Sequence, residues 1–250
     1  MNLDPTRQAA RPAMLPHAGL FVTLEGIDRS GKTTQAALLR DALVGRGLRV
    51  GYEGHPGETL REPGGTPLGE EVRELLLHRR HDISGKAEAL LYAAARAQLV
   101  ADVVRPSLAA GWIVVLDRYI DSSLAYQGFG RELGLEPVLA LNAVATGSLE
   151  GGPLWPDVTL VLDLDPLAAA RRVGATPDRI EREGLELQRR VAVGYREIAA
   201  LYDHRVRLLD AAREADVIGA EAERLVVERL EQTTAVGVAE ATATQERPRV

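Results

Sequence analysis

The chain has 250 residues, 46% of them apolar and none of them cysteine, which supplies one sizeable core and excludes disulfides, thiolate nucleophiles and thiolate-bound metals. Its net charge of −6 argues against broad binding to a nucleic-acid backbone, so no nucleic-acid partner is expected, although a local cationic pocket for a small phosphate is still allowed. No apolar run approaches the roughly 18 residues of a membrane span and the first nineteen residues hold no signal-peptide core, so the expectation is a cytoplasmic protein with no membrane partner.

Residues 1–19 lack periodicity and are expected to form a flexible tail, as are residues 233–250. Between them strand and helix patterns alternate. The apolar run 20–24 reads as a strand that enters a glycine-rich turn and then a helix over 33–46, with Ala36, Leu39 and Leu43 on one face. Gly45 and Gly47 close that helix, and a second short run follows at 48–52. Helical periodicity returns at 69–77 and at 87–104, where Pro106 is expected to stop it. The runs 112–116 (WIVVL) and 158–164 (VTLVLDL) read as buried strands, and 206–209 as a weaker one. Helices are expected at 136–145, 166–172, 183–202 and 220–230. Strands separated by helices imply one α/β domain, residues 20–232, built on a parallel sheet covered on both faces.

Gly26-Ile27-Asp28-Arg29-Ser30-Gly31-Lys32-Thr33, followed by Thr34, fits the pattern GxxxxGK[ST] and lies between a strand and a helix. Gly26 and Gly31 let the backbone curl so that its N–H groups face phosphate oxygens. The positive end of the following helix points at the same place. Lys32 suits the outer phosphates of ATP, and the Thr33 hydroxyl suits Mg2+. Arg29 is placed to stabilise charge on a transferring phosphoryl group. Asp28 sits awkwardly beside polyphosphate unless it meets an acceptor substrate or helps to place Mg2+; both are otherwise solvated turn residues. Asp117 and Arg118 follow the strand at 112–116, at the carboxyl end where open α/β sheets form their ligand crevice. Arg118 can fork onto a phosphate and Asp117 can orient water around Mg2+, or the two form a purely structural pair.

Three further segments narrow the reading: REPGGT at 61–66, DRYIDSSLAYQGFGR at 117–131 and PDVTLVLDLD at 156–165. With LEGIDRSGKTTQ at 24–35, their order resembles the thymidylate kinase family, from about residue 20 to 230. That resemblance implies a P-loop NTPase fold: a five-stranded parallel sheet with helices on both faces and a mobile lid, here at about 171–183. It implies transfer of the γ-phosphoryl group of Mg-ATP to dTMP, and a homodimer. Arg61, Glu62 and Pro63 would line the acceptor-phosphate end; Ser122, Ser123 and Gln127 would lie around the thymine. Tyr126 would sit beneath the deoxyribose, leaving little room for a 2′-hydroxyl. Arg96 matches an arginine that hydrogen-bonds the base. Tyr92 matches an aromatic that stacks on it, usually phenylalanine; on spacing alone Tyr92 reads as a core residue. The lid centre is Asp178-Arg179-Ile180-Glu181. Catalytic arginines occur in either the P-loop or the lid of this family, so Arg29 takes the main role and Arg179 is the second candidate, beside Arg171, Arg172 and Arg182. The chain departs from the family at 51–59, GYEGHPGET, which reads as a surface insertion. A nucleoside or another monophosphate as acceptor, and an NTP-driven switch, are the competing readings; no water-positioning residue or switch loop is identifiable for the second.

Overall fold

The computed structural model describes residues 18–78, 82–147, 152–172, 179–180 and 183–245, with side chains as far as 233. The tail positions 1–17 and 246–250 and the lid positions 173–178, 181 and 182, Asp178, Glu181 and Arg182 among them, lie outside the described residues.

The chain begins with β1 (Leu20–Gly26), a seven-residue strand buried along its whole length, and turns at the glycine-rich loop into α1 (Lys32–Gly45). A hairpin of two short strands, β2 (Gly51–Tyr52) and β3 (His55–Pro56), precedes β4 (Leu60–Arg61). Next come α2 (Pro67–Arg73), running into a π-helical turn at Glu74–His78, and α3 (Gly85–Leu99), running into another at Val100–Val104. Thereafter follow α4 (Arg105–Ala109), β5 (Ile113–Asp117), α5 (Ile120–Ser123) with a π-helical continuation at Leu124–Gly130, and α6 (Leu135–Thr146). The remainder is β6 (Val158–Asp163), α7 (Pro166–Arg171), α8 (Leu185–Leu201), β7 (Val206–Asp210) and α9 (Ala215–Gln245).

The main sheet has the order β4–β5–β1–β6–β7, every neighbouring pair parallel, so β1 is central and must be apolar on both faces. Phe21, Val22 and Leu24 satisfy that demand, and Val114, Leu116, Leu160 and Leu162 on the flanking strands complete the layer. The register Leu24↔Asp117 on one side and Gly26↔Leu162 on the other brings the carboxyl ends of β5 and β1 to one level.

Three expectations need correction, and one segment that carried none proves helical. The run at 48–52 is not the edge strand: Val50 makes a single bridge to Ile113, the chain then spends 51–56 in the hairpin, and the edge place is taken by Leu60–Arg61. The insertion thus splits one expected strand into two pieces. Pro106 does not end the helical path, because the π-helical turn at Val100–Val104 precedes it, with the Arg105 N–H bonded back to the Val100 carbonyl, and the chain stays helical through α4. The segment 120–130, unassigned from its Ser- and Gly-rich sequence, is helical. The expected tail from 233 is continuous with α9 up to Gln245, since Ala, Glu and Gln favour helix and no proline intervenes before Pro248.

A polar cluster crosses the core below the sheet's carboxyl end. Arg205 donates two 2.8 Å hydrogen bonds to Asp121 and one of 2.9 Å to Thr159, while its guanidinium lies 4.2 Å from the Trp155 ring centre. Both members of the ion pair are essentially inaccessible to water. Removing one partner strands the other charge, so Arg205→Met should lower unfolding stability by about 3–5 kcal/mol in urea titration at pH 7. A variant within about 0.5 kcal/mol of the parent would show that the pair is energetically idle.

Candidate active site

The phosphate loop owes its shape to two glycines. Gly26 has φ 138°, and a Cβ there would lie 2.7 Å from both the Leu162 carbonyl oxygen and Ser30 Oγ. Gly31, at φ 105°, starts α1 with no side-chain cap, leaving the first N–H groups of that helix without side-chain acceptors. The buried Ser30 hydroxyl also has no hydrogen-bond partner among the described residues. Uncapped N–H groups, an orphaned hydroxyl and the Lys32 ammonium together fit a polyphosphate. The Thr33 hydroxyl donates a 2.8 Å hydrogen bond to Asp117 Oδ2, and this hydroxyl–carboxylate pair fits Mg2+ by its all-oxygen chemistry. Ile27 and Thr34 belong to the loop and first turn; Lys32 Nζ donates to the Ile27 carbonyl at 2.8 Å. Burial, helped by Arg118, lowers the Lys32 pKa to about 8 against the pull of Asp117, Asp28 and Glu25.

A cavity of about 610 Å3 opens at the ends of β1, β4 and β5. Asp28, Lys32, Thr33 and Asp117 line one end, with Arg118 beside them. Arg61, Glu62 and Pro63 form a side wall, and Tyr92, Arg96, Ser122, Ser123, Tyr126 and Gln127 line the rest. Arg118 holds φ at 72°, a left-handed conformation uncommon for a side-chain-bearing residue, and this turn brings its guanidinium back across the strand ends. It donates to the Gly26 carbonyl at 3.1 Å, to Ser122 Oγ and Tyr126 Oη at 3.3 Å each, and forms an ion pair with Asp28. Burial alone would raise the Asp28 pKa; Arg118, Lys32 and a bond from Gln188 hold it below the usual carboxylate range.

Other assigned residues have structural partners. Arg96 is almost wholly buried and spends its N–H groups on Glu62, Ser123, Asn142 and the Tyr119 carbonyl, so a bond to a base would require one of these to be released. Glu62 Oε1 is left without a partner among the described residues, and burial raises the pKa of this carboxyl against the opposing charge of Arg96. Tyr92 is half-buried, packs against the core and lines the cavity. Arg29, also left-handed at φ 63°, reaches the Arg172 carbonyl at 3.3 Å rather than lining the cavity. Arg172 answers with bonds to the Arg29, Ser30 and Ala211 carbonyls, which ties the residue after α7 to the loop. Arg171 ends α7 and is exposed. Arg179 bonds the Leu76 carbonyl, Glu88 and Glu183, away from the phosphate loop's lining.

Several residues of the site were not foreseen. Gln188 on α8 donates to Asp28 Oδ2 at 2.8 Å and accepts from the Asp28 N–H at 3.4 Å; nothing in the spacing of a helix 160 residues away signals this. Tyr52 and Thr59, from the insertion, line the cavity, and the Tyr52 hydroxyl donates to Glu58 at 3.0 Å. Glu25 is fully buried beneath the site. It accepts from the N–H groups of Tyr119 and Ser122, and from the hydroxyls of Ser122 and Tyr195, and so props up the turn that carries Arg118.

A phosphate loop after the central strand of a parallel sheet, faced by an Asp–Arg turn at the end of the next strand, defines a P-loop nucleotide-binding protein of the kinase type. The thymidylate kinase family model matches residues 24–222. The thymidylate kinase of Desulforudis audaxviator is 47% identical over 202 residues, covering 80% of this chain and 86% of the relative. That of Leifsonia xyli subsp. xyli is 50% identical over 206 residues, covering 81% and 92%. The crystal structure of thymidylate kinase from Ehrlichia chaffeensis superposes with a TM-score of 0.65 at 30% identity, covering 84% of this chain and 98% of that one. The chain belongs to the thymidylate kinase family.

Burial, with the negative charge of Asp121 second, raises the Glu25 pKa from 4.5 to about 7, while Ser122, Arg118 and Tyr195 act in the opposite direction. The folded protein therefore binds a proton that the unfolded chain releases between pH 4.5 and 7, and stability falls as pH rises through that window. Urea unfolding at pH 5 and pH 8 should show the parent losing about 2–3 kcal/mol relative to Glu25→Gln over that interval, at about 1.36 kcal/mol per pKa unit. Parallel pH profiles would refute the assignment.

Proposed function

We propose that the cavity carries out the reaction of its family, phosphorylation of dTMP to dTDP at the expense of Mg-ATP, with the following division of labour. The observation that carries the reading is Arg118. A guanidinium bonded to Asp28, Ser122 and Tyr126 at the mouth of the phosphate loop is placed to meet the phosphate of an acceptor nucleotide. The acceptor phosphate is already ionised at neutral pH, so no strong general base is needed, and catalysis reduces to positioning and charge neutralisation.

Lys32 and the loop N–H groups hold the outer phosphates of ATP. Thr33 and Asp117 would hold Mg2+, which when bound neutralises phosphate charge. Arg118 receives the acceptor phosphate, and Asp28, its partner in the ion pair, keeps the guanidinium aligned until a phosphate takes over. Arg29 stabilises charge on the group in transit, with Arg179 the second candidate. Tyr126 packs beneath the sugar, and Ser123 and Gln127 meet the base, with Tyr92 stacking on it. The reaction is placed in the cytoplasm. The protein acts as a homodimer, supported by the neighbouring helices α3 and α6, which expose Leu90 and Val144. None of the helices of the described residues is long and apolar enough to cross a membrane.

ADP release should be stimulated strongly by dTMP, less by dUMP and poorly by ribonucleotides, and Arg118→Ala or Lys32→Ala should cut turnover by at least about a hundredfold without unfolding the protein. Stimulation by thymidine but not dTMP would move the acceptor to a nucleoside. Hydrolysis independent of any acceptor would favour a nucleotide switch, and near-normal turnover in either variant would remove that residue from its role.

A further inference from the structure

Glu88 lies on the first turn of α3, where the sequence shows only an amphipathic helix, yet 1% of it is exposed to solvent. Its carboxylate gathers donors from two other parts of the chain. Gln127 Nε2 donates to Oε1 at 3.0 Å, Arg131 donates from Nε to Oε1 at 3.0 Å and from Nη2 to Oε2 at 2.8 Å, and Arg179 pairs with Oε2. Glu183 then bridges the same two arginines from the other side. Burial alone would raise the Glu88 pKa, but the bonds from Arg131, Arg179 and Gln127 outweigh it and hold the carboxyl below its ordinary range. Glu88 is therefore an ionised acceptor with no proton to give.

That settles the orientation of the Gln127 amide. An amide can present either its NH2 or its oxygen to a neighbour, and a carboxylate that only accepts admits the NH2 alone. The Gln127 carbonyl oxygen is thereby turned away from Glu88. It takes no protein hydrogen bond among the described residues, and Gln127 lines the cavity. Resting on the reading of this end of the cavity as the base subsite, we propose that Glu88 is a positioning residue for base selection. It locks the Gln127 oxygen toward the acceptor nucleotide, and so favours a base whose ring nitrogen donates a hydrogen over one whose ring nitrogen accepts. Thymine and uracil carry such an N–H; cytosine does not. With the amide locked, a cytosine ring nitrogen meets an oxygen and both lone pairs go unsatisfied, a mismatch that polar sites reject strongly.

Glu88→Gln keeps the shape but supplies a group that can both donate and accept, so the Gln127 amide is released to turn over. Glu88→Asp keeps an acceptor-only group. Steady-state kcat/KM should be measured for dTMP and for dCMP at saturating Mg-ATP in the parent and both variants, along with KM for ATP. The ratio of the two acceptors within one preparation is independent of the fraction folded. Glu88→Gln should lower the dTMP:dCMP ratio by about tenfold or more, chiefly through a raised KM for dTMP, with KM for ATP unchanged within about twofold; Glu88→Asp should keep the ratio within about threefold. An unchanged ratio in Glu88→Gln, or an equal loss in Glu88→Asp, would overturn the inference, because a purely structural carboxylate would depress both acceptors alike. A parent enzyme that does not prefer dTMP to dCMP would instead overturn the base-subsite reading on which the inference rests, whatever the variants do.

Discussion

The parallel pairing of β1 with β5 is the constraint on which the rest depends. It delivers the glycine-rich loop and the Asp117–Arg118 turn to the same edge of the sheet, a few ångströms apart, without any other element having to move. Arg118 can then reach the Gly26 carbonyl and Asp28 only by adopting a left-handed backbone, and Arg29 across the loop does the same. Two non-glycine residues in that conformation at one site mark strain that the surrounding hydrogen bonds must hold. Gly26 and Gly31 relieve the same demand elsewhere in the loop, where a side chain would strike Leu162 or disrupt the start of α1.

Among the buried carboxyl groups near this edge, three glutamates have different duties. Glu25 supports the backbone after Arg118, Glu62 fixes Arg96, and Glu88 fixes Gln127 and two arginines. An uncompensated carboxylate in such surroundings would cost several kcal/mol, so each is engaged by donors from elsewhere in the chain. The result is that residues touching the cavity are held from behind by groups that do not line it, except for Glu62. Gln188 extends the same principle to the phosphate loop by gripping Asp28 on both its N–H and its carboxylate.

The sequence made some of this legible and concealed the rest for physical reasons. The phosphate loop, the Asp–Arg turn and four of the five sheet strands are local patterns: glycines at fixed spacing, continuous apolar runs, residues at a strand end. The edge strand escaped because β4 has only two residues, and the insertion displaced it from the apolar run at 48–52. The fourteen cavity-lining residues named from sequence came from contiguous motifs. Tyr52, Gln188, Glu25 and Glu88 did not, because their roles arise from contacts between segments far apart in the chain. A polar residue in an amphipathic helix gives no sign of which way it will be used. Arg179 shows the converse: the family resemblance of the lid offered it as a second catalytic arginine, and the fold engages it with Glu88 and Glu183.

A crystal structure with dTMP and a non-hydrolysable ATP analogue with Mg2+ tests the central claim most directly, because that claim is spatial. The account predicts the dTMP phosphate on the Arg118 guanidinium, in place of part of its pairing with Asp28, the triphosphate curled against the N–H groups between Asp28 and Thr33, and the base beside Gln127. A dTMP phosphate bound away from Arg118, or a triphosphate outside the loop, would contradict it.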